Sequence, residues 1–273
     1  MSSNSASCLS SSLAAPKSHI GRSCSSIFMI TVCALLCFFS AFPVLADVLI
    51  VADEFPAMNL LSAQLKSQEQ VQSKVISQKD LPDSLKQFDT VIVYIHGTLS
   101  NSAERAFIDY TEAGGKLLLL HHSISSGKRK NEHWFPFLGV SLPEADVSKG
   151  GYKWIGDLTW DLVNLNTNHF IMTNREKRHG QTNQTSPTEA LPDFTLDKSE
   201  VYLNHVLTGP RTLLMGFKYI DKASGTVYEQ QTAGWIKRAG KGTIIYLMPG
   251  HTVQDFENPT YQRIVLNAVI YKP

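Results

Sequence analysis

The side chains best suited to chemistry in this sequence are histidines and a glutamate that stand beside apolar runs. Histidine can act as a general base near neutral pH or as a metal ligand, and a carboxylate adds an acid/base partner or a further ligand. This combination predicts a histidine and carboxylate site. Its candidate residues are His121 and His122 in KLLLLHHS, His169 in NHFIMT, Glu200 and Tyr202 in KSEVYLNH, and His251 in MPGH.

Two kinds of chemistry stay open for these residues. We predict catalytic roles for His121, His122, Glu200 and His251. Their spacing resembles no zinc signature such as HExxH, so a divalent metal ion and metal-free acid/base catalysis are both compatible with the sequence. If a metal ion is bound, its nitrogen ligands are expected to be His121, His169 and His251.

Substrate contacts are expected from His169, Tyr202 and Trp134. Trp134 is one of four tryptophans, together with Trp154, Trp160 and Trp235. An indole offers a flat apolar face on which a sugar ring can stack, although scattered tryptophans more often belong to a core or its rim. The aromatic segment HWFPFL, which contains Trp134, is expected to form a short helix over the cleft.

The apolar run Leu117–Leu120 positions the histidine pair. It follows Gly114-Gly115 and is typical of a strand buried on both faces of a parallel sheet, whose carboxyl end borders the binding crevice. Successive strand residues point to opposite faces. One of the two imidazoles is therefore expected to face the cleft while the other packs under a helix.

Strands and helices alternate along the first half of the chain, which predicts right-handed crossovers and a mainly parallel sheet. The segment 150–237 departs from this pattern and is expected to add antiparallel strands at one edge, including a hairpin around Lys222–Gly225. A polar tract, Thr173–Pro187, lies within it. The predicted parallel strands are 47–54, 74–77, 89–96, 116–122 and 243–248.

Composition excludes several classes of function. All four cysteines precede residue 46, so a mature chain beginning at Asp47 has no thiol nucleophile, thiolate ligand or disulfide. Losing Lys17 and Arg22 with that segment changes the formal net charge from +1 to −1, which predicts no nucleic-acid partner. The sequence has no GxSxG, GxGxxG or P-loop motif, which disfavours serine hydrolase, dinucleotide and ATP chemistry.

The first 46 residues have the features of an export signal. They contain no acidic residue, become apolar from Ile27 to Val44, and end in Val44-Leu45-Ala46, the small-residue pattern that signal peptidases cleave. We predict a signal peptide at 1–46, one domain at 47–273, and a periplasmic or secreted protein. The alternative is a membrane anchor formed by residues 27–46, because about 18 apolar residues approach the length of a bilayer span.

Several soft motifs in a fixed order resemble the ThuA-like family, named for trehalose utilisation. They are DTVIVYIHGTLSNSAERAFIDYTEAGGKLLLLHHSI, HWFPFLGV, NHFIMT, KSEVYLNH and AGWIKRAGKGTIIYLMPGH. The resemblance implies a flavodoxin-like, class I glutamine amidotransferase-like α/β fold, a three-layer sandwich without the catalytic cysteine of those enzymes. By the same resemblance, the histidine motifs of the family fall on His121-His122, His169 and Gly250-His251.

Two departures from the family pattern bear on function. Phe170 replaces the proline of a His-Pro-Ile motif, and Ser199 replaces the aspartate of an Asp-Glu-x-Tyr motif that otherwise matches Glu200 and Tyr202. The resemblance implies an exported protein of carbohydrate metabolism acting on a disaccharide or keto-sugar derivative by hydrolase or isomerase chemistry. Because the aspartate is missing, a non-catalytic module that binds a carbohydrate or a protein partner stays open.

Overall fold

A computed structural model describes residues 48–174 and 189–273 of the 273-residue chain. The predicted export signal, the predicted anchor and most of the polar tract therefore lie outside the described residues. Within the described ranges, no helix is both long enough and apolar enough to cross a membrane.

A single nine-stranded sheet forms the centre of the described structure. Its first, third, fourth and last strands along the chain are buried over their whole length, which agrees with their largely apolar sequences. The strands are β1 Val48–Ala52, β2 Ser73–Ile76, β3 Thr90–Tyr94, β4 Lys116–Leu120, β5 Lys153–Asn164, β6 Phe194–Leu203, β7 Thr212–Ile220, β8 Val227–Ala239 and β9 Gly242–Leu247.

The sheet has a parallel half and an antiparallel half. Its strand order is β2-β1-β3-β4-β9-β8-β7-β5-β6. Pairing is parallel from β2 to β9, and every later pair is antiparallel. The predicted α/β sandwich with a parallel core and an antiparallel extension at one edge is confirmed, and β7 and β8 form the predicted hairpin.

Helices cover the sheet and connect the parallel strands. The helix Asn101–Glu112 begins at an N-cap, Ser100, whose hydroxyl accepts from the Ala103 amide, and it buries Phe107 and Tyr110 against the sheet. The last helix, Pro259–Ile270, begins after the N-cap Asn258 with a proline in its first turn. The helices are α1 Phe55–Gln64, α2 Asn101–Glu112, α3 Trp134–Leu138, α4 Val253–Glu257 and α5 Pro259–Ile270.

Short elements complete the described chain. A π-helical turn, Leu65–Glu69, extends α1, and two-residue strands pair Val140–Ser141 with Val206–Leu207 and Thr173–Asn174 with Glu189–Ala190. The 3-10 turns are Gln78–Asp80, His121–Ile124, Ser126–Lys130, Val147–Lys149 and Phe170–Met172.

Candidate metal centre

Four of the sequence-predicted residues come together at the carboxyl edge of the parallel strands. His121, His122, Glu200 and His251 each offer one nitrogen or oxygen atom, and these four atoms lie within 4.8 Å of one another. His121 and His122 follow β4, His251 follows β9, and Glu200 arrives on β6. Three segments far apart in the sequence thus supply one compact group of donor atoms.

The strand before the histidine pair ends two residues earlier than the sequence predicts. β4 stops at Leu120, and His121 opens a 3-10 turn with a φ of 36°. A positive φ is uncommon for a residue with a side chain, and such strain concentrates at functional sites. Because of this turn, the imidazoles of His121 and His122 both join the group, instead of one facing the cleft and one packing under a helix.

The tautomer of His121 follows from its hydrogen bonds. Its Nδ1 lies 2.6 Å from the Met248 carbonyl oxygen, which can only accept, so Nδ1 carries a proton. In the neutral ring, Nε2 then presents a lone pair to the cluster. Metal-ligating histidines are held in this way, with the second ring nitrogen donating to a backbone carbonyl.

Three polar atoms crowd around the Nε2 atom of His121. His251 Nδ1 lies 3.2 Å away, Glu200 Oε1 3.3 Å and the Tyr202 hydroxyl 3.3 Å. A single ring nitrogen can satisfy only one of these contacts with one proton or one lone pair. In a tetrahedral zinc site with metal–ligand bonds of about 2.0–2.1 Å, two ligand atoms lie about 3.4 Å apart. The distances from His121 Nε2 to His251 Nδ1 and to Glu200 Oε1 match this separation.

His122 contributes an unsatisfied imidazole. It is 2% exposed, and among the described residues neither of its ring nitrogens has a hydrogen-bond partner. Leaving a buried polar group unpaired costs about 1–3 kcal/mol. Burial, together with the neighbouring His121 and His96, lowers the pKa of His122, so its ring is neutral and available as a ligand.

Glu200 supplies the negative charge of the group. Burial acts to raise the pKa of Glu200, but the adjacent His121 ring and a hydrogen bond from the Tyr202 hydroxyl lower it more, so the net pKa of Glu200 is lowered. The carboxylate is therefore ionised at neutral pH. Its side chain is 11% exposed and that of His121 is fully buried, whereas His251 is the partly exposed member of the group.

A buried aspartate holds His251 in place. Asp255 Oδ2 accepts from the backbone amides of Gly250 and His251 at 3.2 and 2.8 Å, while Thr252 and Asp255 form a capping box at the start of α4. Ser199 donates to the same oxygen at 2.8 Å. Ser199, which replaces the family aspartate, thus points away from the donor atoms and supports Asp255.

Lys128 stabilises the backbone around His122, on the side of the site opposite Asp255. Its side chain is fully buried, and Nζ donates to four backbone carbonyls, at 2.7 Å to Ile95, 3.2 Å to His96, 2.6 Å to Gly97 and 3.1 Å to His122. The ammonium group therefore ties the loop after β3 to the histidine turn after β4. Sequence reasoning missed Lys128, because SSGKRKNE has the composition of a solvated loop.

His169 does not join the group. Its Nδ1 accepts from the Ile171 amide, and its ring packs against Tyr271 at a centroid distance of 5.1 Å. The Tyr271 carbonyl in turn accepts from Nζ of Lys116, the first residue of β4. The structure therefore places His169 near the amino edge of the parallel strands, whereas the sequence predicts it above the carboxyl edge.

The structure distinguishes the predicted aromatic contacts. Tyr202 does reach the group, and its ring stacks on His121 with centroids 4.9 Å apart. Trp134 is fully buried, contacts Phe107 and Phe137, and donates from Nε1 to the Ser123 carbonyl. It belongs to the core beneath the histidine turn, so the prediction that it contacts substrate does not fit its position.

A second titratable pair borders the group at the mouth of the cleft. The exposed ring of His96 stacks on His122 with centroids 4.1 Å apart, and its Nδ1 lies 3.4 Å from Glu54 Oε1. Asp53 accepts from the amides of His96 and Gly97 and holds this loop. A polar residue close behind a parallel strand, separated from Tyr94 only by Ile95, was the available signal for His96.

Fold and site together define an α/β protein with a histidine and glutamate centre at the carboxyl edge of its parallel strands. The profile of the ThuA family, described as trehalose utilisation, matches residues 49–272. The chain therefore belongs to the ThuA family. No curated protein matches it by sequence.

Solved structures share the fold at low sequence identity. A ThuA-like protein from Bacteroides uniformis ATCC 8492 has a TM-score of 0.58 and 16% identity, covering 82% of this chain and 89% of that one. The β-galactosidases of Rahnella sp. R3 and Bacillus circulans sp. alkalophilus have TM-scores of 0.51 and 0.53 at 15% and 12% identity. The matches cover 81% and 82% of this chain but only 31% and 30% of those two.

Proposed function

We propose that this protein is a metal-dependent enzyme of carbohydrate metabolism that acts on a disaccharide or keto-sugar derivative at the His121, His122, Glu200 and His251 centre. The observation that carries the proposal is the crowding of Glu200 and His251 around one nitrogen of His121, beside the unsatisfied ring of His122. Three imidazoles and one carboxylate suit Zn²⁺ or a similar divalent ion.

The residues of the site have complementary tasks in this proposal. A bound divalent ion supplies a Lewis acid that polarises a carbonyl or hydroxyl oxygen. The ionised Glu200 can ligate this ion or accept a proton from the substrate. Tyr202 keeps its proton because burial and Glu200 raise its pKa, so its hydroxyl can donate to developing negative charge.

Membership of a family described as trehalose utilisation supports a carbohydrate substrate. The chain that starts at Asp47 has no cysteine, which leaves the cysteine-dependent route to glutamine hydrolysis without a nucleophile. Hydrolysis or isomerisation at a carbonyl-bearing or acetal carbon needs only polarisation and proton transfer, and the four-residue group offers both.

Cobalt spectroscopy and a substrate screen test this proposal. Metal-free protein titrated with Co²⁺ should develop visible absorption bands of a four- or five-coordinate ion, and Glu200→Gln and His251→Ala should each weaken binding by at least ten-fold. Trehalose, maltose, cellobiose, lactose and their keto forms are then assayed for turnover, which Glu200→Gln should abolish. The matched control is Glu144→Gln, because Glu144 is a strongly exposed carboxylate.

Three outcomes separate the alternatives. Equal Co²⁺ affinity of the wild type and both site variants would show that the metal centre is wrong. Turnover by metal-free protein that still requires Glu200 would favour acid/base catalysis without metal. Tight binding of a sugar with no conversion of any member of the panel would favour the non-catalytic binding module.

We also propose that the protein is exported. The acid-free start, the apolar segment Ile27–Val44 and the Val44-Leu45-Ala46 sequence support cleavage before Asp47. Intact-mass measurement on protein from the native host should give a chain that begins at Asp47. A full-length chain in the membrane fraction would indicate the anchor, and a full-length soluble cytoplasmic chain would contradict export.

A further inference from the structure

Trp154 is unlike the other tryptophans of the chain. Its side chain is on the surface, with 57% of the residue exposed, whereas Trp134, Trp160 and Trp235 are at most 1% exposed. Trp154 lies near the start of β5, a strand in which exposed and buried residues alternate further along. A large exposed indole at a fixed position on a strand is a feature of binding surfaces.

The register of the sheet places this indole beside the metal centre. Trp154 pairs directly with Tyr202 across β5 and β6, and directly paired residues project from the same face of a sheet. Tyr202 stacks on His121, and Glu200 lies two residues before it on the same strand. The exposed indole therefore stands on the face of β5 and β6 from which the Tyr202 ring reaches the centre.

A glycine leaves space between the indole and the carboxylate. A methyl group built on Gly156 would lie 3.7 Å from Glu200 Oε2 and 3.9 Å from Trp154 Cζ3. These two atoms are therefore at most about 8 Å apart, with no side chain of Gly156 between them. A hydroxyl group of a sugar ring stacked on the outer face of the indole can bridge such a distance.

We propose that Trp154 is the stacking platform of a pyranose subsite, and that Gly156 leaves room for the ring to reach Glu200. This inference rests on the proposed carbohydrate function and specifies its substrate class as a pyranoside. The apolar C–H face of the sugar packs on the indole. Its ring substituents then extend toward the Glu200 carboxylate, whose side chain is 11% exposed.

Tryptophan fluorescence gives a direct test that does not depend on turnover. Acrylamide should quench the wild-type protein mainly through Trp154, because the other three tryptophans are buried. Trehalose, maltose, cellobiose and lactose are added as probes, and at least one should reduce the quenching constant two-fold or more. Sorbitol at equal concentration, which has no ring face to stack, should leave the constant unchanged.

Calorimetric titration of the protecting sugar then measures the contribution of the ring. Trp154→Ala should weaken binding about ten-fold, Trp154→Phe about three-fold, and Gly156→Val, which fills the gap, at least ten-fold. Ile220→Ala is the matched control, because Ile220 is also a half-exposed apolar residue of the same sheet. Its affinity should equal that of the wild type.

The outcomes distinguish this inference from the proposed function. Protection of Trp154 by none of the four sugars, or unchanged affinity in Trp154→Ala, would overturn the platform. Neither result would affect Co²⁺ binding or its dependence on Glu200, which test the proposed function separately. If protection of Trp154 from acrylamide instead increases with protein concentration, and sedimentation shows the chain associating over the same range, a second copy of the chain is the occupant. That result would also overturn the inference.

Discussion

Replacing Lys128 with methionine should destabilise the protein while preserving the volume of the side chain. Lys128 Nζ is the common donor to the carbonyls of Ile95, His96, Gly97 and His122. Methionine removes the donor and leaves these carbonyls facing an apolar chain. The bonds to Ile95 and His122 are fully buried, so water cannot replace the ammonium group there without opening the loop.

Two opposing free energies decide the size of the effect. Burial lowers the pKa of Lys128 to about 7, against a smaller opposing effect of Asp53. A shift from 10.5 to about 7 amounts to about 5 kcal/mol against the charged form. The ammonium group has three N–H donors, so these four contacts correspond to three hydrogen bonds from a charged donor, at about 1.5–3 kcal/mol each. The hydrogen bonds outweigh burial, and we expect Lys128→Met to lower the free energy of unfolding by about 2–4 kcal/mol.

Urea unfolding at pH 7 measures this loss, and calorimetry should show a fall in Tm of about 4–16 °C. A second variant, Lys128→Ala, leaves a cavity lined by the same four carbonyls. Ethylammonium or propylammonium ions at millimolar concentration should restore part of its stability, whereas tetramethylammonium, which has no N–H donor, should not. A Lys128→Met protein as stable as the wild type would refute the reasoning, because burial would then outweigh the carbonyl bonds.

Two further predictions concern buried groups around the site. Burial lowers the pKa of His205 to about 4, so between pH 6.5 and 4 the unfolded chain binds more protons and stability falls as the pH is lowered. Urea unfolding at pH 7 and pH 4.5 should show that the stability advantage of wild type over His205→Asn shrinks by about 2–3 kcal/mol; a constant difference would contradict this. Ser199→Asp would place a second carboxylate against buried Asp255, so it should cost about 3 kcal/mol or more, whereas Ser199→Ala loses one hydrogen bond worth about 1 kcal/mol. Adding Asp255→Asn should recover most of the loss in thermal melts, and a stable Ser199→Asp single variant would show that the two side chains do not oppose each other.

The parallel half of the sheet could be predicted because its strands carry their own signals. Runs such as Leu117–Leu120 and Thr243–Met248 are apolar on both faces, which only a covered central strand satisfies. Their order in the chain, with helices between, leaves few topologies. The bounds shifted by one or two residues, and at β4 that small shift turned His121 from a strand residue into a turn residue.

The supporting residues of the site could not be predicted in the same way. Lys128 lies in a polar run whose composition is identical to that of a solvated loop, and its burial depends on carbonyls supplied by distant segments. His169 matches a family motif, but a local motif cannot predict which edge of the sheet its loop reaches. Asp255 was partly accessible to sequence reasoning, since Thr252 and Asp255 have the spacing of a capping box.

The position of Glu200 shows why the complete site could not be predicted from local sequence patterns. β6 is five strands away from β4 in the order of the sheet, so in a flat sheet their axes would be about 24 Å apart. Glu200 nevertheless lies 3.3 Å from His121. The antiparallel half must therefore curl back over the carboxyl edge, and β-bulges, which bend strands and increase twist, interrupt both the β5–β6 and the β7–β8 pairings. Closure of the donor group thus depends on a curvature distributed over four strands, so changes in those bulges should displace Glu200 without altering any residue of the centre.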